Sequence, residues 1–189
     1  MIVADRDRAA ALARLKALLK LACSGELAAG FAYRGHWRSV SAVDEIARIR
    51  QIEEEEWHHR TLVAQMLASI GERPSRLAEA RAWLTGRVLG LLCHVSGWLL
   101  PMYGAGRLES RNVREYESAA RDALIAGHEP WVDCLLTMAE VEWEHESYFR
   151  ERVRSHRLGA RLRLWPQPPP KPEIRGSFER ELQHAPAPT

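Results

Sequence analysis

Two stretches of this 189-residue chain carry the same local pattern, Glu56-Trp57-His58-His59 and Glu142-Trp143-Glu144-His145, each with a Glu and a His three positions apart. On a helix that spacing stacks carboxylate and imidazole on one face, one turn apart. The surrounding stripes decide which face. Ile49, Ile52, Glu56, His59, Val63, Met66 and Ile70 follow the rhythm of a buried helix face, as do Leu135, Met138, Glu142, His145 and Phe149. The neighbouring pair Glu55 and His58 shares its stripe with Arg48, Gln51, Leu62 and Gln65, and reads as exposed. Both Glu-x-x-His pairs are therefore expected to point inward. An ionised carboxylate there is very costly unless it is paired or bound to a cation.

Composition supplies the helices. The chain has 26 Ala and 23 Leu against 21 Val, Ile and Thr together, a balance that favours helix over sheet. Punctuation then divides it. A first helix is expected from Asp5 to about His36, and a second from Ser41 and Asp44 to the stop at Gly71. Ser75 starts a third, which runs into an apolar stretch broken by Gly97, Pro101, Gly104 and Gly106. A fourth covers about Arg107 to Ala126, before Gly127. A fifth opens at Pro130 and runs to about His156, before Gly159. Helical segments with such short connections make a bundle.

The first and fourth helices carry the remaining candidates. Glu26 stands alone on the stripe of Leu19, Ala22, Ala29 and Tyr33. From the fourth helix, Glu109 shares a stripe with Val113, Tyr116, Ala120 and Leu124. Glu26 precedes Glu56 by about the interval that separates Glu109 from Glu142, and each has a Tyr seven positions later, Tyr33 and Tyr116. Glu109 is thus the matching residue, with Glu117 as the alternative. The chain then reads as two similar halves, each supplying Glu followed by Glu-x-x-His. That donor set is the one used by di-iron and di-manganese carboxylate bundles. Four carboxylates offset two divalent ions, and one imidazole per ion adds a nitrogen ligand suited to iron, with manganese also accommodated.

Other features exclude or qualify. A formal net charge of +2 does not describe a polycation that coats nucleic acid, and nucleic acid is not an expected partner. Cys23, Cys93 and Cys134 have no disulfide or zinc-site spacing and read as reduced apolar residues. The N-terminus has no apolar core of a secretory signal, so a cytoplasmic location is expected. Val88–Gly106 holds 19 residues without a formal charge, open to three readings: a helix covering the bundle, one lying on a membrane surface, or a span. Arg150, Arg152, Arg154, Arg157, Arg161 and Arg163 are read as a solvated helix end, with headgroup or nucleic-acid contact as the alternative. Seven of the ten prolines lie between Pro166 and Pro188. The folded domain is expected over residues 1–164, with 165–189 an unstructured tail, or a linker or docking segment.

At Gly25-Glu26, Tyr33-Arg34-Gly35, Glu56/His59, Glu109 with Tyr116, and Glu142-x-Glu144-His145, the chain resembles the ferritin-like superfamily. Within it the sequence is most similar to the demethoxyubiquinone hydroxylases of ubiquinone biosynthesis, over about residues 10–155. The resemblance implies an antiparallel four-helix bundle with an additional helical segment. It also implies two irons bridged by Glu56 and Glu142, with Glu26 and Glu109 as terminal ligands and His59 and His145 binding one iron each. The implied activity is a monooxygenation, with dioxygen and an apolar quinone-like ring as partners and Glu56 and Glu142 at the catalytic centre. Peripheral contact with the inner face of a membrane through residues 88–106, and a homodimer, are further expectations. The approach to the first Glu departs from the family pattern, reading Cys23-Ser24-Gly25-Glu26. Tyr33 and Tyr116 are candidate donors to the ligands, and Trp57 and Trp143 are read as packing between helices. The competing classes are a ferroxidase or iron-handling protein, a tRNA hydroxylase of the same superfamily, and a metal-free helical interaction protein.

Overall fold

The computed structural model describes residues 2–184, without the side chains of 2–5, 160, 182 and 184. The regular structure among these residues is helical, as the composition predicts: α1 (Ile2–Ser39), α2 (Val43–Ser69), α3 (Arg76–Leu92), α4 (Leu99–Ala126), α5 (Glu129–Ser155) and, after a 3-10 turn at Gly159–Arg161, α6 (Lys171–His184). Gly71 and Gly127, at φ +71° and +82°, take the left-handed conformation just past the ends of α2 and α4. The Ser75 hydroxyl accepts from the Ala78 amide at 3.1 Å and caps α3. Pro130 lies in the first turn of α5, where a missing N–H leaves no bond unmade. Ser41 does not cap α2, which starts at Val43 behind Ala42; Asp44 instead pairs with Arg152 of α5.

Contacts fix the directions of the long helices. Arg14 bonds Asp122 while Tyr33 bonds Glu109, so α1 and α4 are antiparallel. Asp44 meets Arg152 while His59 meets Glu142, so α2 and α5 are antiparallel as well. Arg34 and Trp37 reach Glu53 while Arg60 reaches Cys23, which sets α1 against α2 in the same sense. Hence α2 and α4 run in the same direction, and α3 makes the long connection between them. It lies along the outside of α1, with Gly86 against Ala28 and Phe31 and Gly90 against Gly35. A Cβ at Gly35 or Gly86 would strike neighbouring backbone, so this closeness requires glycine.

The core has two apolar parts. One gathers Leu15, Leu19, Val63, Val113, Leu135 and neighbours; the other gathers Ala29, Ile49, Ile52, Met102, Phe149 and Val153. On each of α1, α2, α4 and α5 a buried Glu falls between the two, joined by a buried His on α2 and on α5. A polar layer therefore crosses the bundle between two apolar ones.

The proline-rich segment is not a structureless tail. Trp165 is buried; its indole N–H donates to Glu146 Oε1 at 2.6 Å, and the Arg150 guanidinium lies 5.0 Å over its ring while donating to its carbonyl. Ser110 donates to the Pro166 carbonyl and Trp143 to that of Pro169, both at 2.8 Å. α6 then places Ile174 and Phe178 in the first apolar part, and Arg175 bonds Asp133 and Glu140. The prolines do exclude helix just before α6. They do not exclude order, because side chains of α4 and α5 supply donors for the segment's carbonyls. Residues 185–189 of the expected tail lie outside the described residues. Arg150 is correspondingly not solvated, whereas Arg154, Arg157, Arg161 and Arg163 are exposed.

Val88–Gly106 is not a single helix either. It comprises the end of α3, a turn through Gly97 (φ +76°) and the first turns of α4. The fourth helix begins at Leu99 rather than near Arg107, because Pro101 falls in its first turn, where proline is tolerated. Among the described residues no helix is long and apolar enough to cross a membrane. If α6 belongs to the fold, Ile174→Ala should cost about 2–5 kcal/mol of stability, read as a lowered denaturation midpoint. An unchanged midpoint would show that the strap is dispensable.

Candidate metal centre

Each ligand candidate reaches the polar layer through the register of its helix. Glu26 lies one turn from Cys23 and Ala29 on α1, and Glu109 has Gly106 and Val113 beside it on α4. Glu56 and His59 sit between Ile52 and Val63 on α2, and Glu142 and His145 between Ala139 and Phe149 on α5. All six are buried; Glu56, Glu109, Glu142 and His145 have no exposed surface. The competing Glu117 is only half-buried, near Arg121 and Glu181. Spacing therefore selected the inward residue of the fourth long helix.

The six side chains form two overlapping groups. Glu26, Glu56, His59 and Glu142 bring donor atoms within 4.8 Å of one another, and so do Glu56, Glu109, Glu142 and His145. Each group can hold a metal ion. Glu26 Oε2, both Glu56 oxygens and His145 Nδ1 are buried without a hydrogen-bond partner. His145 Nδ1 stands 3.3 Å from Glu56 Oε1 and 3.7 Å from Glu142 Oε2, misaligned for hydrogen bonding. His59 Nδ1 lies 3.0 Å from Glu142 Oε1. No Lys or Arg pairs with any of the four carboxylates among the described ion pairs. Unpaired lone pairs converging in a dry layer are the arrangement a cation satisfies, so the residues present fit the metal that their pattern implies.

Without a cation the carboxylates must share protons. Burial, reinforced by repulsion from their neighbours, raises Glu56 and Glu109 well above the usual carboxylate range, and burial raises Glu26. Burial would raise Glu142 too, but a proton shared with Glu109 and the nearby imidazoles of His145 and His59 outweigh it and hold this carboxylate low. Burial would lower the two imidazoles. The nearby Glu142 carboxylate, and for His145 the bond to Glu55 as well, reverses that and raises both.

Around these groups is a set of orienting partners. Tyr33 of α1 donates to Glu109 of α4, and Tyr116 of α4 donates to Glu26 of α1. The reciprocal pairing follows from the equal Glu-to-Tyr spacing on two antiparallel helices. Asn112 donates to Glu109 at 3.0 Å and to Glu142 at 3.4 Å. Glu55 accepts from His145 Nε2 at 2.7 Å and is itself fixed by Arg48 and Gln51. That bond assigns the imidazole proton to Nε2 and turns the bare Nδ1 toward the cluster. The stripe holding Arg48 and Gln51 made Glu55 look exposed, whereas those residues are its anchors. His58, next along, is exposed. Trp57 packs over Gly30 and bonds Glu53, Trp143 anchors the strap, and Glu144 pairs with Lys171 on the surface. A cavity of about 170 Å³ between α1 and α4 has Glu26, Asn112 and Tyr116 in its wall.

Two outcomes test the site. Groups raised on folding stabilise below their unfolded pKa values, and that contribution is lost as pH rises through the folded ones. Glu56, Glu109, His59 and His145 all shift this way, while the contribution of the lowered Glu142 is lost only in stronger acid. The metal-free chain should therefore lose thermal stability as pH rises from about 5 to about 8. A divalent cation should remove the loss; a flat metal-free profile would contradict the shared-proton layer. Glu55→Gln should weaken metal binding by about 10–100-fold, measured by competition with a chelator, with the helical circular dichroism unchanged.

No family model matches the chain, and no curated protein or solved structure matches it.

Proposed function

We propose that the chain is a di-iron carboxylate oxidoreductase of the ferritin-like type, an oxygen-dependent hydroxylase acting on an apolar ring such as a demethoxyubiquinone-like quinone. The observation that carries this reading is the shared pair. Glu56 and Glu142 belong to both donor groups, and each group adds one further Glu and one His. Two ions side by side need such a set, two carboxylates between them and a separate Glu and His for each. Connectivity supports the same assignment: α1, α2, α4 and α5 form the antiparallel four-helix bundle, and the crossover α3 joins two parallel helices as in ferritin-like folds.

In this reading Glu56 and Glu142 would be shared by the two ions, Glu26 and His59 would help hold one, and Glu109 and His145 the other. Bound iron supplies the redox chemistry with dioxygen; the same donors also accept manganese. The chain's own residues hold the site in shape. Tyr33 and Tyr116 keep Glu109 and Glu26 from swinging away, Asn112 ties Glu109 to Glu142, and Glu55 keeps the His145 proton off the metal-facing nitrogen. The apolar layers on either side exclude water, which strengthens every electrostatic contact within. Exposed Leu84, Val88, Leu91, Val95 and Leu100 on α3, the following turn and α4 supply an apolar surface for peripheral contact with a membrane.

Anaerobic reconstitution with Fe(II) should load about two ions per chain, and fewer than about one would refute the proposal. Glu142→Ala should remove dioxygen consumption by more than the roughly 100-fold that an outer partner is worth, with helix content retained. Retained consumption would show that Glu142 does not lie between the ions. Rapid Fe(II) oxidation without an organic product, given quinone and tRNA substrates in turn, would favour iron handling instead.

A further inference from the structure

A groove of about 530 Å³ runs along the outside of α4, with Leu18 of α1 and Trp165 and Pro166 of the strap in its wall. Arg107, Arg111 and Arg114 of α4 line it, and all three are exposed. Positions i, i+4 and i+7 share one helix face and span about 10 Å along it, so their long side chains can close on one group. Glu115 is the one acidic residue in the described wall, and it is held by Arg111 at 2.7 Å. Arg107 has no ion-pair partner among the described residues, and Arg114 has only the attraction of Glu117, one turn on. The groove therefore carries an excess of positive charge. It is presented as guanidinium forks, whose planar geometry matches phosphate oxygens.

The groove adjoins the cavity of about 170 Å³ between α1 and α4, since Leu18, Leu108, Arg111 and Glu115 line both. Apart from Glu26, Asn112 and Tyr116, the rest of the cavity wall is apolar. Gly25 belongs to that wall, and a Cβ placed on it would meet no atom within 4 Å. Gly35 and Gly86 are required by touching backbone, whereas no neighbour requires a glycine here. Glycine inside a helix costs about 1 kcal/mol relative to alanine, and packing at this position does not offset it. What Gly25 preserves is open space next to Glu26. A cavity of about 150 Å³ already accepts a benzene-sized apolar group, so this one has room for a short apolar tail. The carboxylates of the polar layer repel a negative charge, which places the charged end of such a ligand outside, among the arginines.

We propose that groove and cavity together bind a phosphate monoester with a slim apolar tail. Its phosphate lies on Arg107 and Arg114, and its tail lies beside Gly25, which sets how large a tail can enter. The site goes beyond the functional reading above, and binding needs no metal.

The test uses the full-length metal-free protein with three probes: hexyl phosphate, inorganic phosphate and 1-hexanol. Hexyl phosphate should bind at least about ten-fold more tightly than either of the others, because only it engages both parts of the site. Arg107→Gln and Arg114→Gln, at exposed positions that leave the fold intact, should each weaken hexyl phosphate about five-fold and leave 1-hexanol unchanged. Added salt should act in the same direction. Gly25→Leu, which raises helix propensity while filling the cavity, should reduce hexyl phosphate to the affinity of inorganic phosphate. Equal affinities of the unsubstituted chain for the two phosphates overturn the proposal, as does full affinity in the double arginine variant or a tail gain that survives Gly25→Leu. Should Gly25→Leu fail to fold, nuclear Overhauser contacts from the hexyl methyl group to the methyls of Ala22 and Ala29 report the same placement in the unsubstituted chain, and their absence overturns it. Vesicles of phosphatidylglycerol in phosphatidylcholine separate a lipid headgroup from a soluble ester. Arginine-dependent vesicle binding without hexyl phosphate binding would make the groove a headgroup contact and overturn the proposal. A failure of the unsubstituted chain to load iron would remove the functional reading and leave the result with these probes standing.

Discussion

Glu26, Glu56, Glu109 and Glu142 occupy one buried layer with His59 and His145, and no described Lys or Arg pairs with any of the four carboxylates. In a weakly polarisable interior, mutual repulsion of that many negative charges is severe. It can be relieved by protons or by cations. Protons are a partial solution, which leaves Glu56 and Glu109 strongly raised and both Glu56 oxygens unbonded. Cations are a fuller one, because they give every converging lone pair a partner at once. The layer is thus a standing demand for positive charge, held in place by the apolar packing on both sides of it.

That demand shapes the helices around it. Side chains must enter the layer at one level from α1, α2, α4 and α5, so the register of all four is fixed together. The equal spacing of Glu and Tyr on α1 and α4 lets two antiparallel helices brace each other's carboxylates. Bringing α2 and α4 in parallel needs a connection the length of the bundle, and α3 provides it on the outside of α1. Its glycines allow close approach there while its leucines stay exposed. On the other side, Trp165 fills the space above Gly106 and Phe149 and fixes the strap that leads to α6.

Residues that obey a period were legible in advance. Glu56/His59 and Glu142/His145 stand on apolar stripes, and the 3.6-residue repeat assigns them to the inside before any partner helix is known. Glu109 was preferred over Glu117 because its distance to Glu142 is close to that from Glu26 to Glu56 and because Glu26 and Glu109 each have a Tyr seven positions later. Residues whose role depends on a neighbour from elsewhere were not legible. Glu55 sits off the core stripe, yet His145 from α5 reaches it across the interface. Prolines at 166–170 correctly exclude helix there. They carry no information on whether Ser110 and Trp143 will offer hydrogen bonds from beneath.

The chain by itself determined an all-helical fold with long amphipathic helices and six inward-facing Glu and His side chains, because helix periodicity is a local property that one strand of sequence expresses completely. Tertiary structure alone decided that the six meet as two overlapping groups, that Glu55 and Asn112 orient them, and that the proline segment is strapped down. It also decided that a cavity opens beside Glu26. Each of these depends on where a second or third helix lies. That position is set by how whole faces pack, down to a glycine against a backbone or an indole over a guanidinium, and not by any spacing along the chain.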